Sequence, residues 1–438
     1  MALPDERGGQ KPQRATKDLL PTLSPINLQS VNYWRILKMK SLLPLSFCLI
    51  ATISTGTTLA QTSIAQTMES PAANSSPVAY VYVSRPTHVD GFAASSSGKL
   101  TPVPGSPFAH IGLSHMSVTK KFLFGAGNNG GPDCSGPDPV CSFNIYTYSI
   151  GSNGSLKQVS VINPYKYSPN ECYAVGPTQL DYTGTTLYND AFNCDGDDQY
   201  VQSFKIEANG DLQFVASEDS GNSEEEGFLS SVALLGNDRY GYETGCDGYG
   251  PGFEVVAQKR ESNGALTSVD IIADQPKGKT PEDIYCAKGV LAGDPTNHLA
   301  FILHDTNNNY AGQPVLASYT AESNGNLTTT STYENMPASA LTYIDAMSIS
   351  PSGKLLAVGG AGFQLFHFDG GSPIKSYTGL LHSSETFLQF GWDKENQLYA
   401  LSTTNLHVYE ATSTEVKEVS GSPYSIPEAS SVIVLSLK

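Results

Sequence analysis

Arginine is scarce in this chain, with six residues, and charge of any kind is low. Lys and Arg total 25 against 42 Asp and Glu, and charged residues make up only 15% of 438 positions. Beyond residue 60 only Arg85, Arg239 and Arg260 remain. Removing residues 1–60 takes away seven basic and three acidic residues, which leaves 18 against 39, a net charge of −21. Such a surface repels nucleic acid and anionic membranes. No long run with helical spacing follows the N-terminal region, which speaks against a helical fold. No Cys-x-x-Cys pair occurs, which argues against a zinc ribbon or finger. A Gly-x-Ser-x-Gly elbow is missing, so a serine hydrolase of that type is excluded. A glycine-rich phosphate loop ending in Lys-Ser/Thr is missing as well.

What is abundant points elsewhere. Gly 41, Pro 27 and Tyr 23 suit many short strands joined by turns. The first sixty residues read as targeting. Arg35, Lys38 and Lys40 precede the apolar run Leu42-Leu-Pro-Leu-Ser-Phe-Cys-Leu-Ile, and Thr58-Leu59-Ala60 before Gln61 has the small residues of a cleavage site. Residues 1–60 are therefore expected to be an N-terminal extension and signal peptide, and 61–77 a flexible linker. The mature protein is expected to be secreted or periplasmic. It carries six cysteines (Cys134, Cys141, Cys172, Cys194, Cys246, Cys286), and an even count in an exported chain reads as disulfides. Neighbour pairing is the simplest of the connectivities.

The folded part, 78–438, is built on one repeated unit. In residues 204–215 an alternating run turns on Asn209-Gly210 and alternates again, a strong hairpin signal. The unit recurs at Gly98, Gly154, Gly264 and Gly325, and the five glycines are spaced 56, 56, 54 and 61 residues apart. Two degenerate copies follow at 366–377 and 409–419. Each hairpin is preceded by another strand pair, clearest in residues 346–358. Four strands per fifty-odd residues, seven times over, predict an all-β, seven-bladed β-propeller of four-stranded blades. The first blade lacks an inner strand, and residues 431–438 form a strand with no partner nearby. That strand is expected to join the first blade and close the ring, hiding its edges.

The Tyr80-Val-Tyr-Val alternation, the Ser-Pro-Ser-Gly-Lys-Leu-Leu-Ala-Val strand pair, the Asn-Gly-x-Leu hairpins and the Gly105-Ser-Pro-Phe108 tail resemble the seven-bladed lactonase family. That family includes propeller-type 6-phosphogluconolactonases and fungal carboxy-muconate lactonising enzymes. The resemblance covers 78–438 and implies a central channel whose inner strands often begin Gly-Pro and then His, with His, Glu and Arg as active-site types. Here the matching stretch is Gly176-Pro177-Thr178-Gln179, without His or Arg.

Segments leading into the predicted inner strands nevertheless hold His110 and His115, Glu171, Glu224 to Glu226, Glu282 and Asp283, Asp345, His382 and Glu385, and Glu428. A ring of carboxylates at a channel mouth could bind a cation or raise the pKa of one member. Lactone chemistry needs a base and an oxyanion clamp. His115 is the candidate base, with Glu171, Glu282, Asp345 and Glu385 as the assisting set. Asp195, Asp197 and Asp198 supply hard oxygens at close spacing, a candidate calcium loop. No other cofactor is implied. Two functional readings stand. One is a monomeric, non-catalytic exported scaffold that binds a small-molecule or carbohydrate-like ligand or a partner, with no nucleic acid and no membrane after signal cleavage. The other is a lactone-processing enzyme acting at the channel mouth.

Overall fold

The computed structural model describes residues 76–108, 112–128, 143–167, 175–192, 198–222, 231–246, 253–278, 285–305 and 313–438. In chain order the strands begin with β1 (Ala79–Arg85), β2 (His88–Ala94) and β3 (Leu100–Pro102). A second group is β4 (Ser114–Val118), β5 (Phe122–Asn128), β6 (Phe143–Ile150) and β7 (Leu156–Ile162). A third is β8 (Val175–Leu180), β9 (Thr186–Phe192), β10 (Asp198–Ile206) and β11 (Leu212–Asn222). A fourth is β12 (Ala233–Leu234), β13 (Tyr240–Cys246), β14 (Phe253–Arg260) and β15 (Leu266–Val269). A fifth is β16 (Tyr285–Gly293), β17 (His298–Asp305), β18 (Val315–Ala321) and β19 (Leu327–Thr328). The rest are β20 (Ile344–Ile349), β21 (Leu355–His367), β22 (Lys375–Ser376), β23 (Leu381–Trp392), β24 (Gln397–Ser402), β25 (Asn405–Ala411), β26 (Val416–Glu418), β27 (Tyr424–Ser425) and β28 (Ser431–Ser436). One short 3-10 helix, Pro164–Tyr167, is the only helix among the described residues, and none there is long and apolar enough to cross a membrane.

The strands form an all-β propeller of antiparallel, four-stranded blades. Five sheets have four strands each, among them β28-β1-β2-β3 and β4-β5-β6-β7, and a further sheet has eight, ordered through β20-β21-β23-β24-β25-β26. Inner strands adjoin one another around a centre: β28 meets β4, β4 meets β8, β12 meets β16, β16 meets β20, β20 meets β23 and β23 meets β28. All seven expected hairpins are present as antiparallel pairs. The C-terminal strand does join the first: Ser431 opposes Ser84 and Ser436 opposes Ala79 along the full register.

The repeated turn differs in one respect from the expected tight Asn-Gly turn. A two-residue hairpin turn would need positive φ at Asn and Gly alike. Only the glycines have it, at φ +75, +82, +90, +92 and +92 for Gly98, Gly154, Gly210, Gly264 and Gly325. In each turn the glycine N–H donates three residues back and the turn's first N–H donates forward across it, as with Gly210 to Glu207 (2.9 Å) and Glu207 to Asp211 (2.9 Å). That is a three-residue loop ending in a left-handed glycine. Asn209 serves differently: its Oδ1 accepts the Asp211 N–H at 3.1 Å.

These turns lock neighbouring sheets together. Tyr82 Oη donates to the Gly154 carbonyl, Tyr188 to Gly264 and Tyr242 to Gly325, each at 2.9 Å and buried. A Cβ on Gly154 would lie 2.6 Å from the Tyr80 ring, and one on Gly210 2.7 Å from Phe122. Between sheets the core is aromatic and aliphatic, for example Tyr242, Phe301, Leu303 and Tyr319, all fully buried. Gly154→Ala combines a left-handed non-glycine residue with overpacking. It is expected to cost about 2–4 kcal/mol, read as a lowered denaturant midpoint at unchanged slope.

Candidate functional site

The inner strands enclose a central cavity of about 610 Å3. Its wall takes His115 from β4, Gln179 and Leu180 from β8, Leu234 from β12, Leu291 and Ala292 from β16, Asp345 and Ser348 from β20, Gln389 and Phe390 from β23, and Ile433 from β28. A volume in this range suits one small organic molecule.

The wall has a repeated irregularity. Five inner strands slip register against their second strand near the start: between Ser114 and Ser117, Val175 and Thr178, Ala287 and Leu291, Ile344 and Ala346, and Phe387 and Gln389. A bulge of this kind re-aims a side chain and ends regular pairing. Each slip brackets a cavity residue: His115, Pro177, Val290, Asp345 and Leu388. His115 is also held at φ +43, a conformation that non-glycine residues seldom adopt. Its carbonyl accepts the Thr178 hydroxyl at 2.5 Å, and the Ser117 hydroxyl donates to the Thr178 carbonyl at 2.5 Å, so β4 and β8 are stitched at this point. The His115 side chain is open to the cavity, and partial desolvation by the surrounding wall lowers its pKa from the ordinary histidine value. The ring is therefore neutral at neutral pH, with a lone pair available as acceptor or base.

Gln389 is the second polar fixture. Its Oε1 accepts from the Ser431 hydroxyl (2.9 Å) and the Val432 N–H (2.8 Å), which ties β23 to the closing strand. Ser431 in turn accepts the Met116 N–H at 3.3 Å. The wall next to His115 is thus a braced hydrogen-bonded frame.

Of the expected set, His115 and Asp345 share the cavity. Glu385 does not line it. It accepts from the Ser402 hydroxyl (2.6 Å) and the Asn405 amide (3.1 Å), and faces His407 Nε2 at 3.1 Å. Burial alone would raise its pKa, but these hydrogen bonds outweigh that and leave it below the usual glutamate value. The shared-mouth expectation is therefore corrected for Glu385: the stretch of β23 that carries it pairs with β21 through Ala361 and Thr386, which places it off the channel. His382 belongs with it, 3.6 Å away. Glu428 is exposed and outside the cavity wall. His110, Glu171, Glu224 to Glu226, Glu282 and Asp283 lie outside the described residues, as do Asp195 and Asp197 and the side chain of Asp198. The same holds for Cys134, Cys141, Cys172 and Cys194 and for the side chains of Cys246 and Cys286.

Two of the three arginines beyond residue 60 are occupied elsewhere. Arg260 pairs with buried Asp181 at 2.6 Å, and Arg85 donates to the Pro427 carbonyl at 3.1 Å. No Arg or Lys lines the cavity among the described residues, so nothing described there would grip a phosphate. Gln179, Ser348 and Gln389 were not singled out from the sequence. The bulges decide which residue faces inward, and only the Gly-Pro at 176–177 signals one of them.

No protein-family model matches the chain, and no curated protein matches its sequence. Among solved structures, a functionally unknown protein from Desulfotomaculum acetoxidans aligns at TM-score 0.48 and 11% identity, over 80% of this chain and 99% of that one. The Pseudomonas aeruginosa periplasmic gluconolactonase PpgL aligns at 0.41 and 13%, over 82% and 99%. The Dos1 propeller aligns at 0.40 and 12%, over 75% and 74%. Nothing about this chain's ligand or activity follows from likenesses this distant.

Proposed function

We propose that this chain is an exported seven-bladed propeller whose central channel binds a small, uncharged, carbohydrate-like ligand without chemical turnover. The eight-stranded sheet reads as two blades, β20 to β22 and β23 to β26, bridged where β21 meets β23. The observation that carries the binding reading is the set of five register slips that turn His115, Pro177, Val290, Asp345 and Leu388 into one cavity. The lining mixes aliphatic side chains with fixed polar groups and is more polar than apolar, which suits a hydroxyl-rich ligand better than a hydrophobic one. Gln179, Gln389, Ser348 and Asp345 offer hydrogen bonds of the kind hydroxyl groups take up, and the lack of described cations disfavours a phosphosugar. Glu171 and Glu282 precede β8 and β16 and are candidate additions to the same mouth.

One observation favours the second reading, lactone processing: a neutral His115 and the Asp345 carboxylate share the cavity. An unprotonated imidazole is competent as a general base at neutral pH. Melting the full chain with neutral sugars and sugar lactones, and with aldonic acids and muconolactone as anionic comparisons, alongside hydrolysis assays on wild type and His115→Ala, separates the readings. Binding predicts that a ligand raises Tm by several degrees near saturation, since only the folded state binds it, with no turnover. Turnover lost in His115→Ala would instead establish the enzyme. No shift and no turnover on the panel would reject a carbohydrate-type ligand. Running the same melts with calcium tests the Asp195, Asp197 and Asp198 loop.

A further inference from the structure

Off the channel, three side chains that the binding reading leaves unused meet around a buried imidazole. His407 in β25 is 1% exposed and sits between two carboxylates. Its Nδ1 is 2.9 Å from Glu418 Oε1, and its Nε2 is 3.1 and 3.2 Å from the two oxygens of Glu385. The His382 ring packs on His407 with centroids 4.3 Å apart, and its Nε2 is 3.8 Å from Glu418 Oε2. One donor atom from each of His382, His407 and Glu418 lies within 4.8 Å of the others. His382 is held at φ +47, an unfavourable backbone state that fixes where its ring points.

From this geometry we infer a binding site for a divalent transition-metal ion of the zinc class, with His382, His407 and Glu418 as ligands and Glu385 as the positioning residue. Four ligands about 2.1 Å from a tetrahedral ion stand about 3.4 Å apart. His407 Nδ1 and His382 Nε2 stand 2.9 and 3.8 Å from the two different Glu418 oxygens, and the three donor atoms lie within 4.8 Å of one another, so the ligands must draw together around the ion. Two imidazoles with one carboxylate are nitrogen and oxygen donors that suit zinc and its neighbours rather than calcium or magnesium. Glu385 supplies the carboxylate–histidine–metal arrangement: it takes the Nε2 proton and leaves Nδ1 with a lone pair facing Glu418. Glu418 Oε1 also accepts the Ser422 hydroxyl at 2.7 Å, which holds the carboxylate against Nδ1. Tyr409 Oη, 2.6 Å from His382 Nε2, marks the hydrogen bond that metal uptake would exchange. The ion would tie the stretch of β23 that crosses to β21 onto β25 and β26.

Full-length protein without a polyhistidine tag, stripped with a chelator, should take up one equivalent of zinc by equilibrium dialysis and calorimetry, with a raised Tm. His382 and Glu418 are partly exposed, so His382→Asn and Glu418→Gln should fold, which the metal-free Tm checks. Each should weaken zinc binding more than 100-fold, and Glu385→Gln about 10–100-fold. Uptake of less than one equivalent by wild type would overturn the site, leaving a hydrogen-bonded brace. Equal affinity in wild type and the folded variants would overturn it too, because the zinc would then be bound elsewhere.

Discussion

Deleting residues 431–438 should leave no soluble, monomeric protein. β28 pairs with β1 over six consecutive residues, and its Val432 and Leu435 are buried in two separate core clusters. Each such side chain contributes about 1.5–3 kcal/mol by burial. The Ser431 contacts to Gln389 and Met116 go as well. Together these approach the roughly 5–15 kcal/mol that holds a whole domain folded. Truncation would also bare the edge of β1, Ala79 to Val83, whose residues are almost wholly buried in the intact ring. An apolar, unprotected edge strand recruits other chains. Expression of the truncated chain followed by size-exclusion chromatography should find aggregate. A monodisperse truncation melting within a few degrees of wild type would show that the ring does not need its closing strand.

Neutralising a buried acid pair should stabilise the protein, but only at higher pH. Asp190 in β9 and Glu243 in β13 are 1% and 0% exposed. Glu243 takes the Gln199 and Gln258 amides at 3.0 and 2.8 Å, and Asp190 is turned to Ser231 and the Val232 backbone. The partners are amides and hydroxyls, with no cation among them. Burial pushes both carboxyls up, and the nearby Asp190 pushes Glu243 further. The sign follows from proton counting. A raised carboxyl keeps its proton in the folded state at a pH where the unfolded chain has lost it. Stability therefore falls as pH rises above the ordinary carboxylate range, about 4. Asp190→Asn or Glu243→Gln removes that loss. Each pKa unit is about 1.4 kcal/mol and Asp190 is pushed up to about 7, so Asp190→Asn should gain about 2–4 kcal/mol at pH 8 and almost none near pH 4, and Glu243→Gln should change in the same direction. Urea melts of wild type and variants at both pH values read it directly, because the difference cancels the general repulsion of an acidic surface. A loss of the same size at both pH values would mean that the carboxyls titrate alike in the folded and unfolded states, without the raised pKa.

The residues legible in the sequence were those whose role is local. Gly98, Gly154, Gly210, Gly264 and Gly325 announce their turns because only glycine takes the left-handed position cheaply. The strand pairs follow from alternation, and β28 stands out because nothing near it in sequence could pair with it. The channel was less legible, because a one-residue slip decides which side chain faces inward. Asp345 was found in the segment leading into β20, but Gln389 and Ser348 looked like ordinary strand residues. The His407 site was hidden for a related reason. Glu418 is opposite Tyr409, so His407 is its diagonal neighbour across β25 and β26. His382 reaches them from a strand more than twenty residues earlier.

The central claim, that a ligand lies inside the wall built by the register slips, is tested most directly by plugging it. Ser348→Trp fills the cavity from β20 with an indole while the sheet contacts stay intact. With whichever neutral sugar or lactone raises the wild-type Tm, the variant should fold with its ligand-free Tm nearly unchanged and show no ligand-induced shift. A shift equal to that of wild type in a folded Ser348→Trp protein would place the ligand elsewhere and contradict the account.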